Sequence, residues 1–181
     1  MKAQEFKQII SSYFDDFQKS LATDDGDWII KGFIDVYKNV YTISVDTKVI
    51  SKIIELMLFP VISGFAKEHG FTLALSEHQN HYPDITFIAS NGTKFAVDLK
   101  STYKINESTV NGFTLGAFTG YFRHRESTKN TTFPYGEYEE HFVLGIIYNR
   151  RESVIDEFKI YEIKDLKNIL SVVKDFTFIF H

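Results

Sequence analysis

A β-hairpin is the feature of this sequence that most constrains its fold. Residues 85–89 and 93–100 both have strand-type composition, and a Ser-Asn-Gly turn at 90–92 joins them. A two-residue Asn-Gly loop would shift the pairing by one residue, whereas a three-residue loop with glycine in the left-handed conformation pairs Ala89 with Thr93. We predict the three-residue loop.

The register of this hairpin decides which charged side chains meet. In the predicted register Asp84 lies opposite Asp98, whereas in the other register it would lie opposite Leu99 and face the other side of the sheet. Lys100 emerges on the same face as Asp98 because strand side chains alternate. Directly opposed residues have Cβ atoms roughly 4.5–5.5 Å apart, so the two carboxylates would repel each other and their pKa values would rise unless a cation offsets the repulsion.

Such a patch has the donors of a magnesium site. Carboxylate oxygens in a chain without cysteine favour Mg²⁺, Mn²⁺ or Ca²⁺ over Zn²⁺, and Mg²⁺ commonly takes one or two carboxylates together with water and a substrate phosphate. We interpret Asp84 and Asp98 as ligands of Mg²⁺, for which Mn²⁺ could substitute. Lys100 would then hold the attacking water and neutralise charge during phosphodiester hydrolysis.

The alternative interpretation is a surface ion pair at a strand end. The chain has 24 acidic and 20 basic residues, so Pro-Asp followed by Asp-x-Lys also arises by chance. Glu55 lies on a predicted helix and has two interpretations as well. It is either a further carboxylate of the site or the i, i+3 partner of Lys52, a pair that contributes little to stability.

The rest of the chain predicts helices and strands. Residues 4–21 predict an amphipathic helix and residues 28–44 a hairpin, followed by a helix over 46–70 that is capped by Asp46 and kinked at Pro60. The apolar stripe predicted for that helix is Val49, Ile50, Ile53, Leu56 and Met57. Further predicted elements are strand 72–76, a short helix at 112–124, strands 141–149 and 158–163, helix 164–174 and strand 175–180.

Composition bounds the class of protein. A chain of 181 residues with 44% hydrophobic content suits one α/β or α+β domain. The lack of cysteine excludes disulfides, thiolate metal sites and a cysteine nucleophile. We expect a cytosolic protein with no membrane partner, because no uninterrupted apolar stretch approaches membrane length and no secretory signal opens the chain. With a net charge of −4, DNA binding must be local, and residues 123–129 form the densest basic segment.

Seven blocks, in order and with short gaps, resemble the EcoRV-like type II restriction endonucleases of the PD-(D/E)xK nuclease superfamily. The blocks are VDTKVISKIIEL, AKEHGF, QNHYPDITF, AVDLKSTY, GFTLGAFTGYFR, STKN and HFVLGIIYNR, within residues 28–164. The resemblance implies an α/β, restriction-endonuclease-like core with a mixed central sheet flanked by helices. It also implies a Mg²⁺-dependent bacterial homodimer that cuts both strands of double-stranded DNA at a short palindrome, leaving blunt ends with 5′-phosphates.

When the family's residue roles are transferred by position, the resemblance implies that Asp84 and Asp98 bind the metal and that Lys100 is the catalytic lysine. It also implies that Glu55 is the helix carboxylate near the active site. Residues 78–80 match a loop that approaches DNA from the minor-groove side. The positions implied to contact DNA are Thr47, Lys48, His78, Gln79, Asn80, Ser101, Thr102, Tyr103, Thr119, Arg123 and Lys129.

We expect a single endonuclease domain over residues 1–181. The hairpin and helix at about 28–69 would form the dimer contact, and the catalytic core would span about 46–164. The N-terminal helix, 4–21, is longer than the family leads us to expect, and the family's C-terminal major-groove recognition region has no counterpart in the sequence. Two alternatives therefore stay open: another nuclease of the superfamily, repair or structure-selective, and a truncated, inactive DNA-binding dimer.

Overall fold

The computed structural model of the protein describes residues 1–76, 78, 81–113, 123–151 and 159–181. The helices are α1 (Ala3–Ser11), α2 (Phe14–Leu21) and α3 (Thr47–Glu68), with short 3-10 turns at Tyr135–Glu137 and Ile163–Asn168. The strands are β1 (Gly32–Ile34), β2 (Asn39–Thr42), β3 (Thr72–Leu75), β4 (Ile85–Ile88), β5 (Lys94–Asn106), β6 (Thr109–Val110), β7 (Tyr138–Arg150), β8 (Ile160–Glu162) and β9 (Val173–Phe180).

The main sheet is mixed and has the order β3-β4-β5-β7-β9, with β6 added to β5. Strands β5 and β7 run parallel, and the other pairs in this sheet are antiparallel. A second, smaller sheet has the order β1-β2-β8 and is antiparallel. The predicted α/β fold, a mixed central sheet flanked by helices, is therefore confirmed.

Aromatic packing joins the helices to the main sheet. Phe6 on α1 is completely buried, and its ring stacks on Phe95 of β5 at a centroid distance of 4.5 Å. Its ring also meets Phe87 edge-on at 5.2 Å, and Phe65 of α3 lies at 6.2 Å. Rings of this size bury large apolar areas, so α1, α3 and the sheet share one core.

Helix α3 begins as predicted, and its buried face differs in part from the prediction. The Asp46 carboxylate caps the helix by accepting hydrogen bonds from the N–H of Lys48 at 2.8 Å and of Val49 at 3.2 Å. Leu56, predicted to be in the apolar stripe, is 63% exposed. Buried Ile54 and Leu58 each lie two residues away, and two residues turn a helix by about 200°, so Leu56 faces away from the core.

Among the described helices, α3 alone has the length and hydropathy of a membrane-spanning segment. Its buried residues from Ile50 to Phe65 follow one another at spacings of three and four, Ala66 lies four residues after Ile62, and all belong to the same core as the sheet residues. The fully or almost fully buried residues are Ile50, Ile54, Leu58, Ile62, Phe65 and Ala66. The helix continues through Pro60. The contacts of α3 are those of a core helix within a folded domain.

Two predicted helices differ from the structure. The helix predicted over 4–21 is divided into α1 and α2. At the break the Tyr13 N–H donates to the Ile10 carbonyl at 3.1 Å instead of to the Ile9 carbonyl, which accepts from the Ser12 hydroxyl at 2.7 Å. The helix predicted over 164–174 is a short 3-10 turn followed by β9, whose first residue, Val173, pairs with Arg150 of β7. The short helix predicted at 112–124 falls mostly on residues 114–122, which lie outside the described residues.

Candidate active site

The turn between β4 and β5 has the predicted three-residue geometry. Gly92 is left-handed with φ of +84°, and its N–H donates to the Ala89 carbonyl at 2.8 Å. The Ala89 N–H donates to Thr93 O at 2.9 Å, and the ladder continues to the pair Ile85 and Val97. One step further, this register places Asp84 opposite Asp98, on the side predicted from the turn.

Asp84 directly precedes the first residue of β4, at the point where β5 continues beyond its pairing with β4. Its Oδ2 accepts a hydrogen bond from the Leu99 N–H at 2.7 Å, so a side chain replaces the next backbone bond of the ladder. The Asp84 carboxylate is thereby held against β5. The Leu99 N–H, which would otherwise lack a partner from β4, thus has a hydrogen-bond acceptor.

Lys100 joins the two aspartates. Its ammonium forms a close ion pair with Asp98 and lies 3.9 Å from Asp84 Oδ2. The side chain of Asp98 is 15% exposed, that of Lys100 23% and that of Asp84 30%. The three charged groups are therefore partly withdrawn from water, where charges interact more strongly than on an open surface.

The pKa of Asp84 is raised to about 7. Burial is the largest cause and the negative charge of Asp98 the second, whereas Lys100 and the Leu99 hydrogen bond act in the opposite direction. At neutral pH, in the absence of a metal ion, part of the population therefore carries a proton on Asp84. A cation placed between these carboxylates would remove the repulsion that favours this proton.

The two carboxylates of this site suit Mg²⁺ better than a metal ion that takes all of its ligands from protein side chains. Among the described residues, no group of three histidine, aspartate or glutamate side chains could hold a metal ion. The site therefore offers two carboxylates, which is the number Mg²⁺ commonly takes when water and substrate phosphate complete its octahedron.

Glu55 lies across the cleft from this pair of aspartates. It is ion-paired with Lys52 at 2.7 Å, which is the helical pairing considered as the alternative from the sequence. It also lines the same cleft as Asp84 and Lys100. The structure brings Glu55 to the cleft without joining it to the aspartates, and its role as a metal ligand stays a prediction.

The cleft between α3 and the edge of β5 has a volume of about 970 Å³. Its lining includes five of the predicted DNA-contacting residues: Thr47, Lys48, His78, Ser101 and Thr102. Lysines 48, 52 and 100 supply positive charge to this cleft in a chain whose net charge is −4. Glu55 and Asp84 line the same cleft, and Lys52 and Lys100 are ion-paired, which leaves Lys48 as the lining lysine without an ion pair among the described residues.

Other predicted DNA-contacting residues are placed differently. The ring of Tyr103 lies under the Arg150 guanidinium at 3.4 Å and is not part of the cleft lining. Arg123 and Lys129 lie on the segment before β7, and Arg123 is exposed. Gln79, Asn80 and Thr119 lie outside the described residues.

Three polar residues of the cleft were not predicted from the sequence: Ser51, Ser76 and Asn111. Ser51 is tied to Ser101 of β5 by a hydroxyl hydrogen bond of 2.7 Å, and Asn111 O accepts from Thr102 Oγ1 at 2.8 Å. The signal for Ser51 was its position four residues after Thr47, on the same helix face.

Comparison with known proteins gives two matches. Residues 24–181 match the family model described as "Restriction endonuclease EcoRV". The type II restriction enzyme EcoRV of Escherichia coli is similar to the chain, with 33% identity over 163 residues. The aligned region covers 89% of the chain and 62% of that relative, so the chain spans less than two thirds of the relative's length.

Proposed function

The chain belongs to the EcoRV restriction endonuclease family, and on this premise we propose that it is a Mg²⁺-dependent endonuclease acting in the bacterial cytoplasm. Its substrate would be double-stranded DNA, cut in both strands at a short palindromic site to give blunt ends with 5′-phosphates. The observation that carries the proposal is that Lys100 lies close to both Asp84 and Asp98, and that Asp84 and Lys100 line a cleft with two further lysines.

In the proposed reaction Asp84 and Asp98 would hold Mg²⁺. When bound, Mg²⁺ supplies positive charge next to the scissile phosphate and lowers the pKa of a coordinated water. Lys100 would orient the attacking water and stabilise the negative charge that develops on the phosphate. Glu55 is the proposed further carboxylate, and it would have to leave Lys52 to serve.

Contacts with the DNA backbone are proposed for cations and hydroxyls along the cleft and on the basic segment before β7. Such contacts fix the position of the duplex without reading its sequence. Base contacts from the minor-groove side are proposed for residues 78–80. The proposed backbone contacts are Thr47, Lys48, Ser101 and Thr102 in the cleft, Arg123 and Lys129 on the basic segment and, from the family resemblance alone, Tyr103 and Thr119.

The small sheet supports the proposal of a homodimer. Phe33, Tyr41 and Ile160 are paired in register across β1, β2 and β8, and their exposed fractions are 54%, 42% and 55%. Val36 and Tyr37 at the hairpin tip are 89% and 83% exposed. A contiguous apolar surface of this kind is typical of an interface. Two-fold symmetry would bring two active sites to the two strands of a palindrome.

We expect Phe33→Lys to convert the dimer to a monomer. A charge in the centre of an apolar interface should weaken association by about 30-fold or more, because interface anchors contribute about 2 kcal/mol or more each. Sedimentation equilibrium would measure the dissociation constant. Ile105→Lys is the matched control, since Ile105 is 59% exposed and belongs to β5, outside the small sheet. An equally stable Phe33→Lys dimer would contradict the assignment of this surface.

Plasmid cleavage tests the proposed function. Purified protein with MgCl₂ should give discrete, blunt fragments, MnCl₂ should also support cleavage, and a chelator should abolish it. Sequencing of the fragment ends would identify the site and the position of the cut. Nicking without a common end sequence would indicate a repair or structure-selective nuclease instead. DNA binding without cleavage would indicate an inactive dimer.

A further inference from the structure

Tyr82, two residues before Asp84, is held at three points. Its N–H donates to Asn130 O at 2.9 Å, and its carbonyl accepts from the Thr132 N–H at 2.9 Å. Its hydroxyl lies 2.8 Å from Nδ1 of His141 on β7. Both the backbone and the side chain of Tyr82 are therefore fixed to other parts of the fold.

The hydrogen bonds of His141 define the role of each ring nitrogen. Nε2 lies 3.1 Å from the Tyr135 carbonyl, which can only accept, so Nε2 carries the proton and donates. Burial lowers the pKa of His141 below its usual value and keeps the ring neutral at neutral pH. In the neutral ring Nδ1 is then an acceptor, and the Tyr82 hydroxyl donates to it.

Stacked rings hold His141 in this orientation. The Tyr135 ring lies on the imidazole at a centroid distance of 3.7 Å with an interplanar angle of 9°. The Tyr82 ring lies at 5.7 Å and 24°. A displaced or rotated imidazole would lose these contacts together with its two hydrogen bonds, so the acceptor offered to Tyr82 is a rigid one.

We propose that Tyr82 and His141 are positioning residues that hold the Asp84 carboxylate against the Leu99 N–H. Asp84 precedes the first residue of β4, so the β4–β5 ladder does not fix it from its N-terminal side. Pro83 joins Tyr82 to Asp84. Because the proline ring fixes the φ angle of Pro83, the position of Tyr82 restricts the position of Asp84. The consequence for cleavage rests on the proposed function, but the placement of Asp84 does not.

Hydrogen exchange at the Leu99 amide tests this placement directly in the metal-free protein. Tyr82→Phe removes only the hydroxyl and should increase Leu99 exchange about fivefold or more, as expected for the loss of one hydrogen bond. Tyr138→Phe is the matched control. It removes the same group from a buried hydrogen bond of 3.0 Å between Tyr138 OH on β7 and Thr86 Oγ1 on β4. This control should change Leu99 exchange only as far as it changes global stability.

Equal Leu99 exchange in the two variants, after correction for global stability, would overturn the proposal. A double variant, Tyr82→Phe with His141→Ala, should accelerate exchange no more than the stronger single variant, because both remove the same contact.

If the wild type cleaves DNA, Tyr82→Phe should lower kcat with little change in KM for DNA. If the wild type does not cleave DNA, the proposed function fails while the amide measurement still decides the placement of Asp84.

Discussion

Lys100→Ala is expected to reduce DNA cleavage by about a thousandfold or more. The Lys100 ammonium is the one cation in contact with both Asp84 and Asp98 among the described residues. Loss of one donor that stabilises developing charge costs about 100- to 1000-fold, and Lys100 would also position the water. Single-turnover cleavage at saturating MgCl₂ would measure the effect.

Lys104→Ala is the control for Lys100→Ala. Lys104 lies four residues further along β5, on the same face, and outside the cleft lining. Its removal should change the cleavage rate only a few-fold. Both variants should remain folded, because Lys100 is partly exposed at the cleft and is not part of the apolar core. Asp98→Ala should likewise abolish cleavage in a folded protein. Substantial cleavage by Lys100→Ala or by Asp98→Ala would remove that residue from the proposed mechanism.

Phe6→Ala is expected to destabilise the protein by about 3–5 kcal/mol, the usual cost of removing a fully buried phenylalanine. The ring contacts Phe95 and Phe87 of the sheet and Phe65 of α3, so its loss leaves a cavity where helices and sheet meet. Total stabilities of domains are about 5–15 kcal/mol, so a large fraction would be lost. Urea denaturation followed by circular dichroism would measure the change.

Leu170→Ala provides the comparison for Phe6→Ala. Leu170 is 50% exposed, and its truncation should cost less than about 1 kcal/mol. Phe6 precedes residue 24, at which the match to the family model begins. A cost below about 1 kcal/mol for Phe6→Ala would mean that α1 is not an integral part of the core.

Local chemistry made several features predictable from the sequence. The register between Asp84 and Asp98 follows from a turn of three residues whose glycine can adopt a positive φ. The start of α3 follows from the capping carboxylate of Asp46. Each of these interactions joins residues close together in the chain, so their geometry does not depend on which distant element packs nearby.

Contacts between distant residues decided the rest. Residues 173–174 form a strand because β7 offers hydrogen bonds to them, although their local pattern also suits a helix. Leu56 is exposed because only one face of α3 meets the sheet. Glu55 lines the same cleft as Asp84, a placement set by how α3 lies on β5.

By itself, then, the sequence determined the hairpin, its register and the pairing of two carboxylates with a lysine. Only the tertiary structure decided that Tyr82 is tied to His141, 59 residues away, and that three short strands form a separate apolar surface. The physical reason is the range of the interactions. Turn and cap geometry is encoded within a few residues, whereas packing and long-range hydrogen bonds exist only after the chain has brought remote segments together.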